Sequence, residues 1–235
     1  MSRYKFLTFN IHKGYGPFNL FYNIKDIKAY LKKENADVVF LQEAVGEKKG
    51  FDQIDFLSKN LYPYFLYGGN NFHKKGHHGN AILSKAPLEL KGNHNISQNK
   101  LEKRGLLHAV ATFGEKEVHL LNTHLNLLEY HRKKQISWIL SYISRNIPNH
   151  SSTILAGDFN DWRGKVSKVI YQETDLLDVF KKIGCPKTFP SFLPGLSLDK
   201  IFYKNMSLIN GAKKSEQRPY TLSDHIPLEA NFFIR

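Results

Sequence analysis

Short apolar runs alternate with polar stops along this chain, and several of the stops carry side chains that chemistry uses. Tyr4 to Phe9 alternates polar and apolar positions and predicts a first strand that ends at Asn10. The glycine-punctuated stretch from Ile11 to Pro17 predicts a loop. Ile24, Ile27 and Leu31 then recur at helical spacing, with Tyr30 beside them, Asn23 as candidate cap and an end near Lys33. Val38-Val39-Phe40-Leu41 is continuously apolar, as in a strand covered on both faces, and stops at Gln42-Glu43. Asp52 to Asn60 predicts a second helix through Ile54, Phe56 and Leu57, and Tyr62 to Tyr67 a short aromatic strand. Gly68 to Gly79 reads as a long polar loop, of a length usually kept for function.

Ala81 to Ser84 predicts the next strand, broken by Lys85-Ala86-Pro87, and Asn93 to Glu102 is polar and expected to be exposed. Leu106 to Phe113 and Val118 to His124 predict antiparallel neighbours joined at Gly114-Glu115-Lys116. Leu128 to Asn146 is the longest helical pattern. Ile136, Ile139, Leu140 and Ile143 line its apolar face, Arg132-Lys133-Lys134 the other, and Pro148 follows its end. Thr153 to Ala156 predicts a buried strand ending at Gly157-Asp158. Short helices are expected after Trp162 and over Asp175 to Lys182, and strands over Leu196 to Tyr203 and Ile226 to Ile234. The pattern alone predicts a mixed two-layer α/β architecture in a single domain over residues 1–235, without linker, repeat or low-complexity segment.

Composition narrows the class. A chain of 235 residues with 41% hydrophobic and 23% charged residues is neither disordered nor collagen-like. Cys185 is the single cysteine, which excludes an internal disulfide and a cysteine-rich zinc site; before Pro186 it is expected to pack as a small apolar residue. No secretory leader and no apolar segment of the roughly 20 residues a span needs is found, so a soluble, cytoplasmic monomer is the expectation. The net charge of +13 and pI near 9.6 suit a polyanionic partner: nucleic acid, an anionic membrane surface or a phosphorylated small molecule. Surplus charge that only solvates the surface is the plain alternative.

The polar stops carry two readings each. Glu43, at the end of an apolar strand, is a hard-cation ligand or an exposed loop glutamate. Asp158 and Asn160 lie one residue apart and share a side in extended geometry, so the carboxylate could take a proton while the amide fixes a water or phosphate oxygen; an Asx turn is the alternative. His124 is a phosphate donor or a structural strand-end histidine, and Asn10 a phosphate or metal-shell ligand or a turn former. Asp199 either faces solvent or orients a histidine. In Ser223-Asp224-His225 extended geometry aims neighbours oppositely, so His225 could take Asp199 as its carboxylate partner while Asp224 faces a metal.

Jointly these stops are far more specific than singly, because residue types and order agree. Thr8-Phe9-Asn10-Ile11, Leu41-Gln42-Glu43, Gly79-Asn80-Ala81-Ile82-Leu83-Ser84, Asn122-Thr123-His124-Leu125, Gly157-Asp158-Phe159-Asn160-Asp161, Leu198-Asp199-Lys200-Ile201-Phe202 and Ser223-Asp224-His225-Ile226-Pro227-Leu228 resemble the endonuclease/exonuclease/phosphatase (DNase I-like) superfamily. The resemblance implies a four-layer α/β sandwich, two mixed β-sheets face to face with helices outside. It implies Glu43 as principal Mg²⁺ or Mn²⁺ ligand with Asn10 and Asp224 nearby, and Asp158, helped by Asn160, positioning or deprotonating the attacking water. His124 and His225, the latter held by Asp199, would stabilise the pentavalent phosphorus centre. Family nucleases often carry a phosphate-contacting tyrosine shortly before the Gly-x-x-x-Leu-Ser strand; His77 takes that place here, with His78 beside it, and Arg104 is a second phosphate candidate or an ordinary exposed arginine.

The resemblance therefore implies a divalent-metal-dependent phosphodiesterase acting on nucleic acid. His73-Lys74-Lys75, Lys103-Arg104, His131-Arg132-Lys133-Lys134 and Lys213-Lys214 are the basic clusters available to a phosphate backbone. Phospholipid headgroups, as in the sphingomyelinase-like branch, or small phosphorylated molecules are the alternative substrates. A non-catalytic polyanion-binding module is the remaining class.

Overall fold

The computed structural model describes residues 2–46, 52–73, 76–181, 184–213 and 221–234. Two six-stranded mixed sheets lie face to face. Strands β1 (Arg3–Asn10), β2 (Val38–Val45), β3 (Tyr64–His73), β4 (Gly76–Ser84), β11 (Met206–Lys213) and β12 (Leu228–Ile234) form one, in the order β11-β12-β1-β2-β4-β3. Strands β5 (Leu88–Asn95), β6 (Gly105–Phe113), β7 (Lys116–His124), β8 (Ser152–Asp158), β9 (Leu177–Asp178) and β10 (Asp199–Lys204) form the other, in the order β5-β6-β7-β8-β10-β9. Each sheet centres on one parallel pair, β1 with β2 and β7 with β8, whose connection carries a helix.

Three apolar clusters fill the spaces between four layers. Phe6, Phe40, Ile82, Leu107, Leu120, Ile154 and Phe232 pack between the sheets. Leu7, Val39 and Leu83, on the opposite faces of the same strands, pack under α1 (Ile24–Glu34) and α2 (Gln53–Ser58) through Ile27, Leu31 and Leu57. Leu121, Leu155 and Phe202 pack under α3 (Glu129–Asn146) and α4 (Lys165–Glu173) through Ile136, Ile139 and Val166. Strands covered on both faces are why Val38 to Leu41 and Ile154 to Ala156 read as continuous apolar runs. The two-layer expectation from the pattern alone is thus corrected to four layers.

Several local expectations change as well. Gly68 to Gly79 is not a loop: β3 and β4 pair antiparallel as far as His73 with Gly76. Polar Asn93 belongs to β5, an edge strand paired with β6, and no helix covers Asp175 to Lys181, where Leu177–Asp178 pairs with β10; Lys182, the last residue of that expected helix, lies outside the described residues. Asn23 does not cap α1 with its side chain but donates to Thr221 O at 2.6 Å, whereas Asp52 caps α2 by accepting from the amides of Ile54 and Asp55. Cys185 is exposed rather than packed. Arg132 is fully buried and not on the solvent face of α3; Lys133 and Lys134 are. Lys74, Lys75 and Lys214 of the basic clusters lie outside the described residues.

Candidate active site

The site grows from strand register. Parallel pairing sets His124 of β7 beside Asp158 of β8, and antiparallel pairing sets Asp158 beside Asp199 of β10. Three chemistry-bearing residues therefore stand in a row at one end of this sheet. The close passage of β7 and β8 depends on Gly157: at φ +143° a Cβ there would lie 1.9 Å from Thr123 O. Asn10 ends β1 in the facing sheet, and its Nδ2 donates to Asp158 Oδ2 at 3.0 Å, closing the gap between layers.

Behind this row the sheets are tied by buried amides. Asn122 Nδ2 donates to Leu41 O at 2.9 Å and Ala81 O at 2.8 Å, and its Oδ1 accepts from Gln42 Nε2 at 2.8 Å. Asn80 Nδ2 donates to Gly105 O at 2.9 Å. These bonds fix the two sheets in one register, which is what lets groups from both reach Asp158 within tenths of an ångström.

Asp158 is buried and is the hub. Its Oδ2 faces Asn10 Nδ2, His124 Nε2 at 3.3 Å and His225 Nε2 at 3.6 Å, while its Oδ1 accepts the Asn160 amide at 3.0 Å. Asn160, at φ 50°, turns back so that Nδ2 reaches Leu125 O at 2.9 Å and His124 Nε2 at 3.3 Å. His225 Nδ1 lies 2.8 Å from Asp199 Oδ2, so its carboxylate partner is Asp199 and not its neighbour Asp224. Asp224 Oδ1 instead lies 3.7 Å from His12 Nδ1 and accepts from Ser223 Oγ.

Charge follows environment. Burial raises the Asp158 carboxyl to about 6, against the pull of His225, Asn10 and the Asn160 amide. Burial opposes a charge on His225, but Asp199 and Asp158 outweigh it and raise the imidazole to about 10. His124 is driven well below the usual histidine range by burial and by Arg104, so it is neutral. One histidine is thus an imidazolium and the other is not.

Glu43 stands apart from this hub. Register between β2 and β4 shifts between Leu41 and Ala44, and Glu43 sits in that bulge at φ 54°. Lys13 Nζ donates to its Oε2 at 2.6 Å. Burial raises the Glu43 carboxyl, yet the Lys13 ammonium bonded to it holds it well below the usual range. Glu43 shares a cleft of about 10 Å³, the room of roughly one water, with His78, Asn80, Lys103, Arg104 and His124. Arg104 is tethered there by Glu102 at 3.5 Å. His77 is not in this cleft: its Nδ1 bonds Tyr67 OH at 2.9 Å and its ring packs against Gly46. His78, one residue on and therefore on the other strand face, takes the cleft position. Lys13 and His12 carry no signal beyond a glycine-rich loop, and Asn80 and Asn122 stand inside the family-resembling stretches Gly79–Ser84 and Asn122–Leu125 without a role that the sequence assigns them.

Two donor sets could hold a divalent metal. Ligand atoms of Asp158, Asp199 and His225 lie within 4.8 Å of one another. Within that trio His225 Nδ1 is already engaged by Asp199 Oδ2 at 2.8 Å, so as it stands it forms a hydrogen-bonded relay. Glu43 offers the oxygen donor a hard cation takes, and its ionised carboxylate already binds a cationic group, Lys13. That donor chemistry fits such an ion.

A groove of about 640 Å³ between α3 and the α4–β9 connection, lined by Ser137, Ser141, Glu173 and Lys204, holds none of these groups. Comparison with known proteins agrees with the geometry. The chain is 34% identical to the uncharacterized protein YbhP of Escherichia coli K12 over 98% of this chain and 96% of that one. It is 26% identical to bovine tyrosyl-DNA phosphodiesterase 2 over 79% of this chain and 50% of that one. Among solved structures, the endonuclease/exonuclease/phosphatase from Beutenbergia cavernae superposes with TM-score 0.83 at 20% identity, covering 100% of this chain and 72% of that one. A humanized zebrafish tyrosyl-DNA phosphodiesterase 2 gives 0.77 at 23%, covering 99% of this chain and 100% of that one. The model of the Endonuclease/Exonuclease/phosphatase family matches residues 7–225, and the chain belongs to that family.

Proposed function

We propose that this cleft hydrolyses phosphodiesters with the help of Mg²⁺ or Mn²⁺. The observation that carries the reading is the buried chain Asp199–His225–Asp158, joined at Asp158 by Asn10 and His124. A carboxyl raised to about 6 is ionised yet basic near neutral pH, the condition for taking a proton from an attacking water. Asn160 holds that carboxylate through its amide and orients His124 through its side chain. The His225 imidazolium stays charged at neutral pH because of Asp199 and can donate Nε2–H to a phosphate oxygen. Neutral His124 adds a donor without adding charge, and Arg104 adds charge at the cleft wall. A bound metal, held by Glu43 with Asn10 and Asp224 beside it, would neutralise charge developing at phosphorus.

Nucleic acid as the diester is supported by the relatives named tyrosyl-DNA phosphodiesterase and by the net charge of +13. Lipid phosphodiesters are the second reading, favoured by apolar side chains exposed around the cleft. Turnover of bis-p-nitrophenyl phosphate, plasmid DNA, RNA and choline phospholipids, with Mg²⁺, Mn²⁺ or EDTA and beside Asp158→Ala, tests both. EDTA-sensitive cleavage lost in the variant is the expected result. Silence of the wild type on every diester would remove the catalytic reading and leave a polyanion-binding module.

A further inference from the structure

The strand ends carrying Asn10, His124 and Asp158 face one end of the sandwich, as does the start of β10 at Asp199. Among the described residues, two of the loops at that end carry exposed apolar side chains. Phe18, Leu20, Phe21 and Leu193 are each exposed by 66–73%. The Phe18 ring meets that of Phe192 at 4.8 Å, joining the loop after β1 to the loop before β10 in one ridge. This ridge is anchored to the site itself: the Ser191 amide and Oγ donate to Asp224 O and Ser223 O, each at 2.7 Å, and Gly16 N donates to Phe21 O at 2.9 Å.

A second ridge rises on the other flank. Leu127, Leu128 and Tyr130 are exposed by 55–65%, and Trp162 stands nearby over the Arg132 guanidinium at 4.4 Å. Leu125 N donates to Asp158 O at 2.9 Å, which pins this flank to the same hub. The apolar side chains are therefore held out into water on both sides of the cleft by bonds to the residues that form it. Exposed Lys100 and Arg163 and half-exposed Lys103 lie on loops of the same end, and exposed Lys165 opens α4. Among the described residues Glu102 accepts from Asn126 and the Leu127 amide, and Glu129 pairs with Lys133 and Arg163.

We propose that this end of the molecule docks on an anionic phospholipid bilayer, with the two ridges entering the headgroup boundary and the cleft between them opening onto headgroup phosphates. Four of the exposed residues are leucines, which gain by entering an acyl boundary and offer no π face for stacking bases. Their mixture with aromatic rings and a basic surround is the composition of an interfacial anchor, and the charge favours anionic lipid. Docking itself stands without the phosphodiesterase reading. That the bilayer supplies the diester rests on that reading.

The test is co-sedimentation of the full chain with vesicles of phosphatidylcholine alone and of an equimolar mixture with phosphatidylglycerol, for wild type, F21S/L193S and L177S. Leu177 is exposed on β9, away from these loops. Wild type and L177S should partition onto the mixed vesicles, and F21S/L193S should lose about tenfold in partition. Turnover of bis-p-nitrophenyl phosphate in water should be equal in all three, separating this inference from the catalytic one. If the mixed vesicles fail to bind wild type, or bind F21S/L193S as well as L177S, the docking surface is wrong. Loss of single-stranded DNA binding in F21S/L193S, with vesicle binding intact, would assign the ridges to nucleic acid and overturn the proposal equally.

Discussion

His225 Nδ1 lies 2.8 Å from Asp199 Oδ2 while the opposite ring nitrogen lies 3.6 Å from Asp158 Oδ2, so one imidazole bridges two buried carboxylates from neighbouring strands. Burial alone would discharge this ring; Asp199 and Asp158 instead raise it to about 10. If the imidazolium is the working form, activity is present below that value and is lost as pH rises through it. Asp199→Asn removes a charge, so the alkaline loss should move to lower pH. Diester turnover should fall by about 10²–10⁴-fold. A pH–rate profile of Asp199→Asn whose alkaline limb coincides with that of the wild type would show that His225 works without its charge.

Lys13 occupies the carboxylate that a metal would need, donating to Glu43 Oε2 at 2.6 Å. An ammonium and a divalent cation compete for one oxygen, and they also repel each other. Lys13→Met should therefore tighten Mn²⁺ binding, by about tenfold for a gain near 1.4 kcal/mol. Glu43→Gln should weaken it severely, because the remaining oxygens of Asn10 and Asp224 bring one charge and not two. Calorimetric titration with Mn²⁺ measures both without turnover. An unchanged affinity in Glu43→Gln would transfer the metal to the Asp158, Asp199 and His225 trio.

What was legible in the sequence was whatever a local pattern dictates. Leu120 to His124 and Ile154 to Asp158 read as apolar runs with polar ends because strands buried on both faces must be apolar until they reach the cleft. The pairing of His225 with Asp199 followed from alternation of side chains along an extended chain. Properties set by distant neighbours were not legible. Nothing near Arg132 says that Trp162 will lie over it, and the exposed positions around it argue for solvent. His77 and His78 are identical letters, and only the pairing of β4 with β2 and β3 decides which one faces the cleft. The bulge at Glu43 is likewise a matter of register between strands.

His108 and His119 form a second buried histidine pair, remote from the cleft, on the face of β6 and β7 that α3 covers. His108 Nε2 lies 3.0 Å from His119 Nδ1, and His108 Nδ1 lies 2.9 Å from Tyr142 OH. Burial, reinforced by His119, His94 and Lys91, lowers His108 to about 3. Below the ordinary histidine value of about 6.5 the unfolded chain takes up protons that the folded chain refuses. The stability from neutral His108 is thus fully present above that value and lost as pH falls toward 3. Thermal unfolding midpoints should drop between pH 7 and pH 4 in the wild type, and His108→Gln should flatten the drop. Parallel pH curves for the two proteins would place the acid sensitivity elsewhere.

Arg132 tests how the loop beneath the cleft is held. Its Nη1 donates to Asn126 O at 3.2 Å and to Leu127 O, and its guanidinium lies over the Trp162 ring at 4.4 Å. Burial disfavours the charge, and Asp161, Glu129 and Asp158 partly offset that cost. Arg132→Met keeps the apolar stem and relieves the desolvation, but leaves the Asn126 and Leu127 carbonyls without this donor. Hydrogen bonds to a charged group contribute about 1.5–3 kcal/mol each, and the ring contact adds about 0.5–2 kcal/mol. Losing them should outweigh the relief and destabilise the fold by about 2 kcal/mol. The loss should be local as well as global: amide exchange at Leu125 to Leu128 should accelerate more than exchange in β2. Because Leu125 N holds Asp158 O, diester turnover should fall with it. A stable Arg132→Met protein with unchanged exchange at Leu125 to Leu128 would show that the buried guanidinium does not hold this loop.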